Sequence, residues 1–183
     1  MLVRKGIYFF YFLAAASVVL SAYVSGPPPG TTCAPGETSC GATNNFCHKT
    51  TPNSGNGFGD IALYPTGNKY NPGQNCTIMP YCVDTSKIFG FQVVAKLSNG
   101  NPAGSVMISD QVKTQMNTSG GLEYVSQTKA GATPMGIHDW MYDWTAPPAG
   151  SGKVIFYVAF VAANGDSTAA NDLVYTDTLV LDE

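Results

Sequence analysis

Residues 89–97 read FGFQVVAKL. In an extended chain Phe89, Phe91, Val93, Ala95 and Leu97 fall on one side and Gly90, Gln92, Val94 and Lys96 on the other. The stretch therefore predicts a strand with one buried face and one largely polar face. Residues 154–162, VIFYVAFVA, are apolar on both sides and predict a central strand covered on each face. Further strands are expected near 58–64, 74–83, 105–108, 122–128, 138–144 and 173–181, separated by the turn signals YNPGQ, SNGNPAG, SGG, APPAGSG and ANGDS. With 183 residues and short apolar bursts between turns, the chain reads as one all-β domain, an antiparallel sandwich over residues 58–183, with an N-terminal appendage.

Within that domain HDWMYDW, residues 138–144, places His138, Trp140, Tyr142 and Trp144 on one side and Asp139, Met141 and Asp143 on the other. The pattern reads as a core aromatic stripe backed by a solvated acidic face.

The appendage has two parts. Arg4 and Lys5 precede an uncharged run from Ile7 to Val24, IYFFYFLAAASVVLSAYV. As a helix its 18 residues reach about 27 Å, close to the roughly 30 Å hydrocarbon core of a bilayer. Residues 1–26 are thus a signal peptide or a single transmembrane anchor, and both put the rest of the chain outside the cytoplasm. The small-x-small sites ending at Ala22 and Gly26 are imperfect, and Tyr8, Tyr11 and Tyr23 sit where interfacial aromatics flank a spanning helix, which favours the anchor. Residues 27–57 begin with a Pro/Gly-rich stretch and are expected to form an extended linker and loop lying on or near the membrane.

Charge narrows the partners. Arg4 is the only arginine, and beyond residue 26 seven lysines face twelve carboxylates, so no basic stripe exists to neutralise a phosphate backbone. Nucleic acid is excluded as a partner class.

The segment SCGATNNFCHKT, residues 39–50, carries the chemistry that the sequence offers. Five cysteines in an extracytoplasmic chain imply disulfides with one thiol over. Three uses fit Cys40, Cys47 and His48: a Cys40–Cys47 disulfide with an idle histidine, which is preferred; one covalent haem c on both thiols with His48 as proximal ligand; or a zinc site that adds Cys33. For the haem a sixth ligand would come from His138, Met79, Met107, Met116, Met135 or Met141. Cys76 and Cys82, six apart on one expected strand, pair only if Met79-Pro80 turns the chain, because a bridge needs Cα atoms within about 7 Å. Asp166 and Asp172 are explained by turn chemistry rather than by a calcium loop. No GxSxG, HExxH or phosphate loop occurs, and no cofactor, metal or catalytic residue is expected outside the haem alternative.

The segments APGETSC…CHKT, NSGNG, YNPGQ, FGFQVVAKLSNGNPAG, YDWTAPPAGSGKVIFYVAFVAANGD and VYTDTLVL resemble the bacterial extracellular modules called choice-of-anchor V domains, relatives of the Reeler domain. The resemblance runs from about Ala34 to Leu181, while Cys33, Cys76 and Cys82 depart from its pattern. It implies a Reeler-like, immunoglobulin-like β-sandwich, secreted or held at the surface, with no enzymatic activity. The expected role is that of a membrane-anchored, periplasmic or extracellular accessory subunit that binds other membrane or surface proteins. The alternative is a one-haem electron-transfer protein on the same sandwich.

Overall fold

A computed structural model describes residues 24–37, 48, 50–132 and 138–183. Ten strands, numbered in chain order, form two antiparallel sheets among these residues. Sheet one has the order β1 (Phe58–Tyr64), β2 (Asn75–Val83), β8 (Tyr142–Thr145), β4 (Ser105–Met107), with β7 (His138–Asp139) also on β2. Sheet two has the order β10 (Leu173–Leu181), β9 (Val154–Ala163), β3 (Ile88–Leu97), β6 (Leu122–Gln127), β5 (Thr114–Ser119). The expected sandwich is observed. No helix among the described residues is long and apolar enough to cross a membrane, and the apolar run up to Tyr23 lies outside them.

The core is built where the two alternating stretches meet. β3 pairs with β9 along its whole length, so Phe89, Phe91 and Val93 lie beside Val154, Phe156, Val158, Phe160 and Ala162, all buried. The aromatic stripe expected at 138–144 closes over them from sheet one. Trp140 stacks on Phe91 at 4.5 Å between ring centroids, and Trp144 meets Phe156 edge-on at 5.0 Å. Both indole N–H groups are satisfied by backbone carbonyls, Trp140 Nε1 on Gly131 and Trp144 Nε1 on Ala103, each at 2.9 Å. Gly59 is required where β1 crosses this core, because a Cβ there would lie 2.2 Å from the Phe160 ring.

The stripe is one element in sequence and two in space. β2 pairs with β8 at residues 75–78 and with β7 at Tyr81 and Cys82, and the ladder is interrupted at Met79 and Pro80. Pro80, which has no N–H to give, occupies the gap, and β2 runs straight through it with its register on the facing chain unbroken, the Pro80 carbonyl accepting from Trp140 N–H at 3.0 Å. Consequently β2 does not turn, and Cys76 and Cys82 are free and buried rather than paired.

The outer face of β3 departs most from expectation. Gln92, Val94 and Lys96 are polar or small in part, as read, but all three are buried, because residues 25–37 lie across them. The Gln92 carboxamide accepts from Thr31 N–H at 2.8 Å and from its hydroxyl at 2.9 Å, and donates to the Pro28 carbonyl at 3.0 Å. Further along, Glu37 pairs with the Lys96 ammonium at 3.4 Å and accepts from the Tyr124 hydroxyl at 3.1 Å and from Thr32 N–H at 2.7 Å. Ala34 packs with Val94 and Tyr124. The proline-rich stretch that reads as a free linker is a strap on the sandwich.

Because Trp144 is fully buried, Trp144→Ala is expected to cost about 3–5 kcal/mol through the cavity it leaves. Urea unfolding checks this, and a melting temperature unchanged from wild type would contradict the core assignment.

Candidate interaction surface

The two flanks of the sandwich, where sheet edges come together, are finished differently. On one flank β1 and β10 meet, and edge backbone groups toward both ends of β10 are taken. Asn53 stands in for a strand on β10: its N–H donates to the Val174 carbonyl at 2.8 Å, its Oδ1 accepts from Thr176 N–H at 2.9 Å and its Nδ2 donates to the Thr176 carbonyl at 3.2 Å. At the far end of β10, Tyr70 N–H donates to Asp182 and Asp182 N–H to Asn68. Between the sheets the Asp60 carboxylate accepts from Ile61 N–H at 2.6 Å and from the Tyr81 hydroxyl at 2.5 Å, and the Asp177 carboxyl lies close enough to feel its charge. Burial, and then the Asp60 charge, push the Asp177 carboxyl above its ordinary value. The hydrogen bond to Asp60, with burial, pushes the Tyr81 phenol up to about 12.

A second knot lies at one end of this flank. Tyr175 donates to Asp84 at 2.6 Å and accepts from Gly57 N–H at 3.1 Å. Burial works to raise the Asp84 carboxyl, but hydrogen bonds from Ser86 and Tyr175 outweigh it and hold it below its ordinary value.

The opposite flank is open. β4 has three residues and pairs only with β8, and β5 pairs only with β6. The carboxylate of Glu123 caps one edge N–H, that of Val106, at 2.6 Å. Three methionines stand exposed on the strands and loop of this flank: Met107, 62% exposed, Met116 and Met141. Methionine is unbranched and polarizable, and such side chains suit surfaces that adapt to a partner. Sequence reasoning missed β5, because TQMNTS has no apolar alternation; an edge strand covered on neither face has no need of one.

The sequence-predicted site residues are scattered or tied. Cys40 and Cys47 lie outside the described residues. His48 is not idle: its Nδ1 lies 2.8 Å from the buried Asp172 carboxylate, and the neighbouring Thr50 hydroxyl donates to the Asp172 carbonyl at 2.7 Å. Asp172 also accepts from Asn164 N–H, and Asp166 from Thr168, so both carboxylates are engaged in the β9–β10 turn as turn chemistry predicts. Cys33 is in a disulfide, to which the sequence reading had not assigned it. His138 stacks on Phe89 at 3.8 Å, and burial lowers its pKa. Burial also raises both free thiols, that of Cys82 to about 12, which leaves them unreactive packing groups. No group of three or more His, Cys, Asp or Glu that could hold a metal occurs among the described residues.

This architecture is similar to the reeler domain of human F-spondin. One crystal structure of that domain aligns with a TM-score of 0.52 at 23% identity, over 68% of this chain and 91% of the reeler chain. A second fragment aligns at 0.51 and 22%, over 67% and 88%. The likeness is one of fold: the sandwich is Reeler-like. No family model matches the chain, and no curated protein matches it in sequence.

The carboxyl pair on the sealed flank gives a signed pH dependence. Asp177 has a raised folded-state pKa, so its contribution is complete below the ordinary carboxylate range and is lost as pH rises through the raised value. Asp177→Asn carries no proton to lose. The variant is therefore expected to gain stability relative to wild type as pH rises from about 4 toward 7, and parallel urea midpoints across that range would contradict the assignment.

Proposed function

We propose that this chain is a non-catalytic, extracytoplasmic interaction module of the choice-of-anchor V type. Residues 7–24 hold it in the membrane, and the β4/β5 flank binds another subunit of a membrane or surface assembly. The difference between the two flanks carries the reading. A fold that caps one pair of edges with Asn53 and Asn68–Tyr70 leaves the other pair open beside three exposed methionines. Open edges and adaptable apolar side chains are what a partner strand or loop needs. The non-catalytic reading is supported by the titratable groups of the described sandwich, since His138, Asp84 and Tyr175 are each engaged in packing or hydrogen bonds.

The cysteine count bears on the alternative of a one-haem electron carrier. Thioether attachment needs both Cys40 and Cys47. The chain has five cysteines, and the disulfide at Cys33 draws its second sulfur from neither Cys76 nor Cys82. Both demands cannot be met in one chain, which favours the non-haem module. The same count favours a bridge from Cys33 to one member of the pair over a Cys40–Cys47 bridge. A haem-stained denaturing gel together with non-reducing peptide mapping tests this, and a stained band would restore the electron-transfer reading.

The interaction reading is tested by photo-crosslinking in intact cells, with benzoylphenylalanine placed at Met107, at Met116 or at Val180 on the sealed flank. Adducts to another protein are expected from the first two positions and not from the third. Absence of adducts at both methionines, or equal adducts at Val180, would sink the assignment of the open flank. Retention of the anchor is checked separately: the protein should need detergent for extraction, and a mature N-terminus after Ala22 or Gly26 would remove that part of the proposal.

A further inference from the structure

The strap fixes where the apolar run leaves the domain. From Glu37 backward it moves steadily along sheet two. Glu37 lies at Lys96 and Tyr124, Thr31 and Pro28 lie at Gln92, and the Cβ direction of Gly26 points at Ser126 and the Gln127 carbonyl. The Ser25 carbonyl, last, accepts from Gln115 Nε2, which also donates to the Gln127 carbonyl at 2.9 Å. Val24, the final residue of the apolar run, comes immediately before this contact. No spacer separates the run from the sandwich, because the residues that could have formed one are laid on the sheet.

One step beyond Gln115 and Gln127 is the end of the β5–β6 pair. Thr128 N–H donates to the Lys113 carbonyl at 2.9 Å, and the Thr128 hydroxyl donates to the Val112 carbonyl. Asp110 Oδ1 accepts from both Val112 N–H at 3.1 Å and Lys113 N–H at 3.0 Å. The turn is thus held from both sides, and it still presents Val112 to solvent with 70% of the residue exposed, the largest value among the exposed large apolar residues described. Lys113 and Lys129 are exposed on either side of it. Of the nearby carboxylates, Asp110 is occupied by the turn, Asp139 lies with Lys113 within electrostatic reach of His138, Asp84 and Asp172 are taken by hydrogen bonds from Tyr175 and Asn164, and Asp166 stands in the β9–β10 turn, where Lys87 packs against Gly165. At the opposite end of the sandwich Lys153 is matched by Asp182 at 2.7 Å.

We propose that this end of the sandwich rests on the surface of the bilayer that holds residues 7–24, with Val112 entering the headgroup layer and Lys113 and Lys129 meeting anionic headgroups. The inference rests on the anchored reading above and adds to it an orientation: the strands stand upright on the membrane, and the β4/β5 flank faces sideways along it. A lysine close to an anionic surface is attracted within about a Debye length, roughly 10 Å, so the two lysines act only if the end is seated.

The test uses the full-length chain reconstituted in vesicles of phosphatidylcholine with phosphatidylglycerol, or of phosphatidylcholine alone, with an environment-sensitive fluorescent amino acid placed at Val112 or, as control, at Asn101 at the opposite end. This labelling avoids the cysteines. The emission at 112 is expected to shift to the blue on reconstitution, more so with phosphatidylglycerol, while that at 101 stays unchanged. The combined variant Lys113→Glu, Lys129→Glu is expected to lose the part of the shift that depends on phosphatidylglycerol. Protein that floats with the vesicles but shows no shift at 112, or an equal shift at 101, overturns the seating while leaving the anchor intact. Protein that does not float overturns both.

Discussion

The burial of Gln92 and Lys96 on the outer face of sheet two is the constraint on which much of this structure depends. A carboxamide and an ammonium in the middle of a central strand can be covered only if each finds partners, because an uncompensated buried charge or amide costs several kcal/mol, on the order of the stability of a whole domain. Residues 27–37 supply those partners almost one for one: Thr31 and Pro28 for Gln92, Glu37 for Lys96. Glu37 is in turn satisfied by Thr32 and Tyr124, so the strap and the sheet form one polar network with an apolar seam at Ala34, Val94 and Tyr124. A buried network of this kind raises the cost of any other arrangement of the segment.

Two consequences spread from that network. Sheet two gains a covered outer face along β3, while the outward residues of β9 stay half-buried rather than covered on each face as its apolar sequence predicts. The N-terminal segment also loses its freedom, and the place where the apolar run leaves the sandwich is fixed by Gln115 and Gln127.

The two flanks show a second economy. Edge strands are open templates for pairing, and stable sandwiches normally blunt them. Here part of the β1/β10 side is closed by side chains and loop backbone acting as a substitute strand. The β4/β5 side receives a single carboxylate cap from Glu123. The same domain therefore blunts its edge strands more fully on one side than on the other.

What the sequence determined by itself was the periodicity. Phe89 to Leu97 and Val154 to Ala162 alternate as only a pleated strand does, His138 to Trp144 put every large ring on one side, and the turn residues divide the rest into strand-length pieces; these signals are local and survive without tertiary context. The fold followed from them. What only the tertiary structure decided was how polar and irregular pieces are used. Polar β5 became a strand because β6 lay beside it, and β2 passed through Pro80 because the facing Trp140 N–H needs only the Pro80 carbonyl as its partner. Cys33 entered a disulfide while Cys76 and Cys82 remained packed thiols, because the distance between two sulfurs depends on the path of the chain between them and not on their spacing along it. The strap is the clearest case: Thr31, Thr32 and Glu37 look like ordinary linker residues until Gln92, Lys96 and Tyr124, some 60 to 90 positions away, give their polar atoms something to satisfy.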